Sequence, residues 1–463
     1  MRMLTCLLVA TALSMTSPPD EAAKQLGREI FKELIEINTT DSVGNTTTAA
    51  NAMAARLRAA GFAAADVQVL GPNDRKGNMV ARLRGTGAKK PILIIGHLDV
   101  VEARREDWTT DPFRFVEKDG YFYGRGTQDM KVSDAILVTN FIRLKREGYR
   151  PNRDLILALT ADEEGGDSNG VEWLLKNHRE LVDAEFVLNQ DAGGVTTVKG
   201  KPVNVDLEAS EKQYADFELT VTNPGGHSSL PTDDNAIYHL AGALTRLEHA
   251  PFPVELNDVT RAYFERRAPL ESGQTRADMT AILHTPPDAA AAARLSKDPR
   301  YNSMLRTTCV ATRLNAGHAN NALPQTAQAN VNCRILPGHS PAETQRTLER
   351  VFADPKVTVK YLGGIGGAES KGFPTVLPPP EVMRPLEEAA SDIWPGAPVI
   401  PELETGASDS IHTVAAGLPS YGFNGVALDQ DDIRAHGKDE RVRVSAFYDG
   451  IEFGYRFLKA ITR

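Results

Sequence analysis

Three short apolar runs, each ending in residues that bind cations, constrain the fold of this chain more than any other feature. Pro91–Ile95 runs into Gly96 and His97, Asp154–Thr160 into Glu163 and Glu164, and Ala184–Asn189 into Asp191. Stretches with apolar residues three and four apart, Val132–Glu147 and Val171–Asn177, read as intervening helices. This alternation predicts an α/β fold with a mostly parallel sheet and helices on both faces. In such sheets functional groups collect beyond the carboxyl ends of the strands. His97, Glu163, Glu164 and Asp191 all fall there.

Ala22–Ile37 and Thr47–Ala60 read as further helices, Ala65–Leu70 and Met79–Arg84 as further strands. The character changes near Glu208. Strand Tyr214–Asn223, helix Asn235–Glu248, strands Thr307–Leu314 and Ala327–Leu336, helix Pro341–Phe352 and strand Val357–Tyr361 make a small α+β sandwich. The Ala-rich stretch Glu255–Arg306 reads as a helical insertion within it, and helix–strand alternation returns after Pro378–Pro380. At 463 residues the chain exceeds what one core usually serves. The expected organisation is a leader at 1–20, a large domain from 21–209 and 372–463, and a lid inserted at 210–371.

The net charge of −9, without a Lys/Arg block, excludes nucleic acid as a partner. Arg2, the apolar run Leu4–Leu13 and small residues Ala10, Ala12 and Ser14 read as a secretory signal, so the expected location is periplasmic or extracellular. That run is too short to span a bilayer, and no later segment is long and apolar enough. Cys6 would leave with the leader. Cys309 and Cys333 lie outside the ligand-like residues, which argues against thiolate chemistry. They sit equally far from Asn321 and face each other if the two strands form a hairpin. An oxidising compartment would let them join, but strand geometry often places such pairs poorly, so the expectation is a reduced, packed pair.

His97 with Asp99 forms an H-x-D pair, in which a metal-bound imidazole can give its second N–H to a carboxylate. Isolated examples are more often structural; placement at an apolar strand end favours the ligand. Asp129, in GRGTQDMK before a helix, reads either as a cap or as a carboxylate shared between two cations. The adjacent Glu163 and Glu164 diverge on a loop, which suits one carboxylate on metal and one free to move a proton. His436 lies in RAHGKDERV, where Gly437 leaves room around the ring.

With GHLDVV (Gly96–Val101), DEEGG, NQD, GGHSSLP (Gly225–Pro231), NALP (Asn321–Pro324), RILPG (Arg334–Gly338) and TGASDS (Thr405–Ser410), the chain resembles the M20 family of metallopeptidases from about Ala22 to its end. The branch with carboxypeptidase S and N-acyl-amino-acid hydrolases is the most similar. The resemblance implies a zinc-exopeptidase-like sheet with an inserted lid that commonly dimerises, and two Zn²⁺ ions that Co²⁺ can replace. Asp129 would bridge the ions, His97 and Asp191 would complete one position, and Glu164 and His436 the other. Glu163 is implied as general base and acid, Asp99 as a residue behind the ligands, and His227, commonly from a partner subunit, as oxyanion stabiliser. Arg334, Asn321 and the loop Gly406–Ser408 are implied to receive a substrate carboxylate. Ala407 and Ser408 depart from the family's usual GGTDA. A non-proline cis peptide is implied at Asp129–Met130. The expected function is an exported dinuclear zinc hydrolase that cuts the amide bond of a small peptide or N-acyl amino acid beside its free carboxylate. The alternatives are a narrow desuccinylase and a catalytically silent binding protein.

Overall fold

The computed structural model describes residues 21–463, so the expected leader and Cys6 lie outside the described residues. One sheet of ten strands runs Val67–Leu70, Asn78–Leu83, Leu155–Thr160, Ile92–His97, Phe186–Asn189, Ser420–Gly422, Lys201–Glu211, Gly194–Val198 and Ala427–Asp429, with Val399–Glu404 beside Lys201–Glu211. Its centre, from Leu155–Thr160 to Ser420–Gly422, is parallel. Leu155–Thr160, Ile92–His97 and Phe186–Asn189 begin as unbroken apolar runs because both faces are covered. Ile92 and Ile94 join a core with helices Glu21–Glu36, Lys131–Arg146 and Val444–Ile461, whereas Leu93 and Ile95 join another with helix Gly170–Asn177. Period-two alternation thus divides one strand between two cores.

Antiparallel pairs lie toward the edges. One is the hairpin of Gly194–Val198 with Lys201–Glu211, which the sequence pattern did not reveal. Its two-residue turn, Lys199-Gly200, has φ of 51° and 74°, the positive pair that a type I′ hairpin needs.

A separate four-stranded antiparallel sheet is ordered Thr308–Ala316, Thr326–Ile335, Gln213–Thr222, Thr358–Tyr361. Phe217, Leu219 and Val331 on one face pack against helices Ala236–Glu248 and Pro341–Phe352. The second helix starts with a Ser340–Glu343 capping box. Helices in the stretch Glu255–Arg306, expected inside this sandwich, pack on the larger body instead. Tyr263, Phe264 and Met304 surround Ile400, and Arg266 donates to the Val399 carbonyl at 2.7 Å.

Cys309 and Cys333 are joined in a disulfide, which corrects the expectation of a reduced pair. Register is the reason: the residues are directly opposed, with Cα atoms 4.1 Å apart. The close-approach positions of an antiparallel ladder bring side chains within bonding reach. The bond closes a separation of 24 residues. Replacing both cysteines by alanine is expected to lower stability by about 3 kcal/mol. Chemical denaturation with and without reductant checks this; coincident curves for variant and parent in the absence of reductant would refute it.

Candidate metal centre

His97 ends its strand and is 1% exposed. Glycine precedes it for a steric reason: a Cβ on Gly96 would lie 2.7 Å from Asp134 Oδ1 and 2.8 Å from the Met130 methyl. The ring's Nδ1 lies 3.0 Å from the Asp99 carbonyl oxygen and 3.6 Å from that residue's carboxylate. It is therefore the backbone carbonyl, not the expected carboxylate, that accepts the Nδ1 proton. Nε2 is left facing Asp129 Oδ1 at 3.1 Å and Asp191 Oδ1 at 3.4 Å. The Asp99 carboxylate instead accepts the backbone N–H groups of Glu163 at 3.2 Å and Glu164 at 3.0 Å, so it fixes the acidic pair.

Asp129 lies between the two histidines: Oδ1 meets His97, and Oδ2 meets His436 Nε2 at 3.0 Å. Its peptide bond to Met130 is cis. His436 Nε2 is also 2.9 Å from Glu164 Oε2. Two triads, His97 with Asp129 and Glu164, and His97 with Glu163 and Asp191, each place one donor atom per residue within 4.8 Å of the others. All seven residues assigned to the centre from sequence are thus together.

The electrostatics are those of a site short of positive charge. Burial pulls the His97 imidazole down, but Asp191, Asp129 and Asp99 outweigh it and hold it well above its ordinary value. Hydrogen bonding to Asp129, then the Glu164 charge, raises His436 to about 9. Burial pushes the Glu163 carboxyl up to about 10; His97 opposes this and Asp191, Asp409 and Glu164 add to it. Glu164 rises to about 7, through burial and then Asp129. The Asp129 carboxyl is pushed up by burial, yet hydrogen bonds from His436 and His97 hold it below the usual range. The donors suit a borderline divalent cation, since imidazole and carboxylate separations of 2.9–3.4 Å are those of ligands sharing one small ion. His97 also has the second-nitrogen hydrogen bond that metal-bound histidines make.

Residues expected to bind substrate fare differently. Arg334 stacks on Tyr214, its guanidinium 4.8 Å from the ring, and its buried Nη1 has no hydrogen-bond partner among the described residues. That orphaned donor suits an incoming anion. Gly406 and Ser408 do not offer the free donors expected of them. Glu404 accepts the Gly406 N–H at 2.9 Å, and Glu211 accepts both the Ser408 N–H at 3.0 Å and its hydroxyl at 2.8 Å. Carboxylates of the chain itself therefore buttress this loop. His227 and Asn321 are exposed neighbours on the smaller sheet's side: the Asn321 carbonyl accepts the Ser228 N–H, and the His227 ring bonds to Ser229. Neither touches the cluster.

Two residues that sequence reasoning missed hold the cluster from behind. Buried Glu440 accepts backbone N–H groups of the Asp129 loop, and the Gln128 side chain binds the backbone around His436. Both lie in segments singled out for their histidine or aspartate, where the adjacent polar residues carried no signal of their own.

Residues 93–460 match the model of peptidase family M20/M25/M40, and the chain belongs to that family. It is 30% identical over 372 residues to the N-fatty-acyl-amino acid synthase/hydrolase PM20D1 of Xenopus tropicalis, covering 78% of this chain and 71% of that protein. It is 30% identical over 378 residues to the probable carboxypeptidase S-like 2 of Dictyostelium discoideum, covering 80% and 71%. Among solved structures, the M20 family metallo-carboxypeptidase Sso-CP2 of Sulfolobus solfataricus superposes with a TM-score of 0.69 at 17% identity, over 94% of this chain and 99% of that one. The YXEP protein of Bacillus subtilis, described as a dinuclear metal binding peptidase of the M20 family, superposes with a TM-score of 0.59 at 12% identity, over 96% and 98%. The protein is a hydrolytic enzyme of the metallopeptidase and amidohydrolase class. Among the described residues no helix is long and apolar enough to cross a membrane.

Proposed function

We propose that the chain is an exported dinuclear zinc hydrolase that cleaves the amide bond of an N-acyl amino acid or small peptide next to its free carboxylate. The observation that carries this reading is the convergence of His97, Asp129, Asp191, Glu164 and His436, with Glu163 alongside. Asp129 would serve both cations, His97 and Asp191 one position, Glu164 and His436 the other. When bound, two such ions polarise a carbonyl and make water more acidic. Glu163 accepts the proton of the attacking water and passes it to the leaving amine nitrogen; bound cations would bring its carboxyl, which burial otherwise raises, down into the ionised range. Asp99 holds the Glu163–Glu164 backbone so that one carboxylate faces the cations and the other stays free. Arg334 receives the substrate carboxylate.

A narrow desuccinylase has less support, because the cavity bordered by Tyr214 is mostly apolar. It measures about 570 Å³ and is lined by Tyr214, Ile365, Phe373, Ala407, Ile411 and Val414, with Gln213, Glu369 and Ser370 as its polar walls. Tyr214 carries the Arg334 guanidinium, so the space suits an apolar group close to the bound carboxylate. N-acetyl-leucine and N-acetyl-phenylalanine are expected to exceed N-acetyl-aspartate in kcat/KM by about 30-fold, within the range that one pocket group supplies. Val414→Asp should remove most of that difference. Equal rates across the three substrates would rule this preference out.

Export is supported by the N-terminal pattern and by the disulfide, which belongs to oxidising compartments; fractionation of the native host that finds the chain in the cytosol refutes it. A homodimer is supported by the edge strand Thr308–Ala316, whose Val310 and Leu314 are 60% and 67% exposed. It would let His227 and Asn321 serve the partner's site, and a monomeric mass in light scattering refutes it. The test of the main reading is metal content together with hydrolysis of N-acyl amino acids and peptides, with and without a blocked C-terminus. Indifference to the block removes the role given to the carboxylate.

A further inference from the structure

His97 and His436 flank the same carboxylate but are held in different ways. His97 ends one strand of the central sheet and Asp191 follows another, and the His97 ring is tied to its own loop through Asp99. His436 sits on a loop, with φ of 62° and a side chain 56% exposed. Asp129 lies 307 residues away, and polar contacts running in both directions join the two loops.

Glu440 is fully buried beneath the Asp129 loop. One of its oxygens accepts from Arg125 Nη1 at 2.6 Å and the Gly126 N–H at 3.1 Å, the other from the Gln128 N–H at 2.5 Å and the Asp129 N–H at 3.1 Å. In the opposite direction, Gln128 uses its whole side-chain amide on the His436 loop. Its oxygen accepts from the N–H groups of Arg434 at 2.7 Å and Ala435 at 3.0 Å, while its nitrogen donates to the carbonyls of Asp432 at 3.0 Å and Arg441 at 2.8 Å. Arg125 adds a bond to the Gly437 carbonyl at 2.9 Å. The loop bearing one ligand is thus bound by the segment bearing the other, and the reverse.

We propose that Gln128 is a positioning residue that holds the His436 loop and so sets the metal position formed by His436 and Glu164, and that this position alone weakens when Gln128 is changed. The inference rests on the metal-centre reading above. Partners behind a ligand typically change metal affinity by about 10–100-fold. In Gln128→Leu, one zinc equivalent should keep its parent affinity while the other weakens by about 30-fold, within that range. Gln128→Glu keeps the acceptor for Arg434 and Ala435 but sets a carboxylate oxygen against the Asp432 and Arg441 carbonyls, so it should not restore the affinity.

The test is calorimetric zinc titration of the metal-stripped full chain, with elemental analysis after gel filtration. Thermal unfolding of each stripped variant identifies those that fold, and Glu440→Gln, which loosens the loop of the shared Asp129, should by contrast weaken both positions. Hydrolysis assayed at rising zinc adds a kinetic readout: kcat should return at saturation, which a merely misfolded variant would not achieve. Two equivalents at parent affinity in the folded Gln128→Leu variant, or equal weakening of both, overturns the inference and leaves the metal centre standing. A parent chain that binds no zinc overturns both.

Discussion

Glu163→Gln is expected to retain both metal equivalents and to lose about 10³-fold or more in kcat, with KM nearly unchanged. The substitution keeps the size of the side chain and both backbone contacts to Asp99, which involve the Glu163 and Glu164 N–H groups rather than the side chain. It removes only the group able to take and return a proton, a contribution worth about 10²–10⁴-fold. Steady-state kinetics on an N-acyl amino acid, with metal analysis of the same sample, checks this. Activity within tenfold of the parent would falsify the assignment of Glu163 as general base.

Stripping the metal with a chelator should abolish hydrolysis, zinc or cobalt should restore it, and zinc uptake should depend steeply on pH. In the metal-free protein His436 keeps its proton to about pH 9 and Glu164 to about pH 7, and His97 is held well above its ordinary value. A cation must displace those protons. Affinity therefore rises as pH rises through this window and falls as pH drops. Each displaced proton contributes about tenfold per pH unit below its own value, so the dependence should be steeper between pH 6 and 7 than between pH 8 and 9. Zinc titrations at pH 6, 7, 8 and 9 measure it, and an affinity that is flat or falls with rising pH removes the proposed ligand set.

The elements that the sequence made legible are those whose periodicity is strong. Ile92–His97 and Leu155–Thr160 are buried on both faces, so their composition is dictated by the environment that they create. The hairpin Gly194–Val198 with Lys201–Glu211 was not legible: its turn is a short Lys-Gly pair, and its strands mix polar residues with apolar ones. The stretch Glu255–Arg306 was readable as helical but not as to where it packs, because an amphipathic face does not name its partner. Its apolar side chains found Ile400, about 100 residues downstream.

The metal centre divides in the same way. His97, Glu163, Glu164 and Asp191 were readable because a strand that ends in an imidazole or carboxylate advertises both the strand and the candidate site. Asp99 was placed correctly and misassigned in its contacts, since a side chain two residues on can turn to the ring or to the next strand's loop, and hydrogen-bond geometry chooses. Gly406 and Ser408 were read as free donors because nothing local announces that Glu404 and Glu211 will engage them.

Local pattern alone determined the alternation of strand and helix, the positions of the ligands at strand ends, and the two segments between which the smaller sheet is inserted. Those follow from side-chain size and polarity at fixed spacing along the chain. Only the tertiary structure decided that Cys309 opposes Cys333, that Glu440 and Gln128 bind each other's loops, and that Arg334 keeps a donor without a partner among the described residues. Each of these depends on register or on contacts between residues far apart in the chain, where a displacement of one residue would exchange every partner.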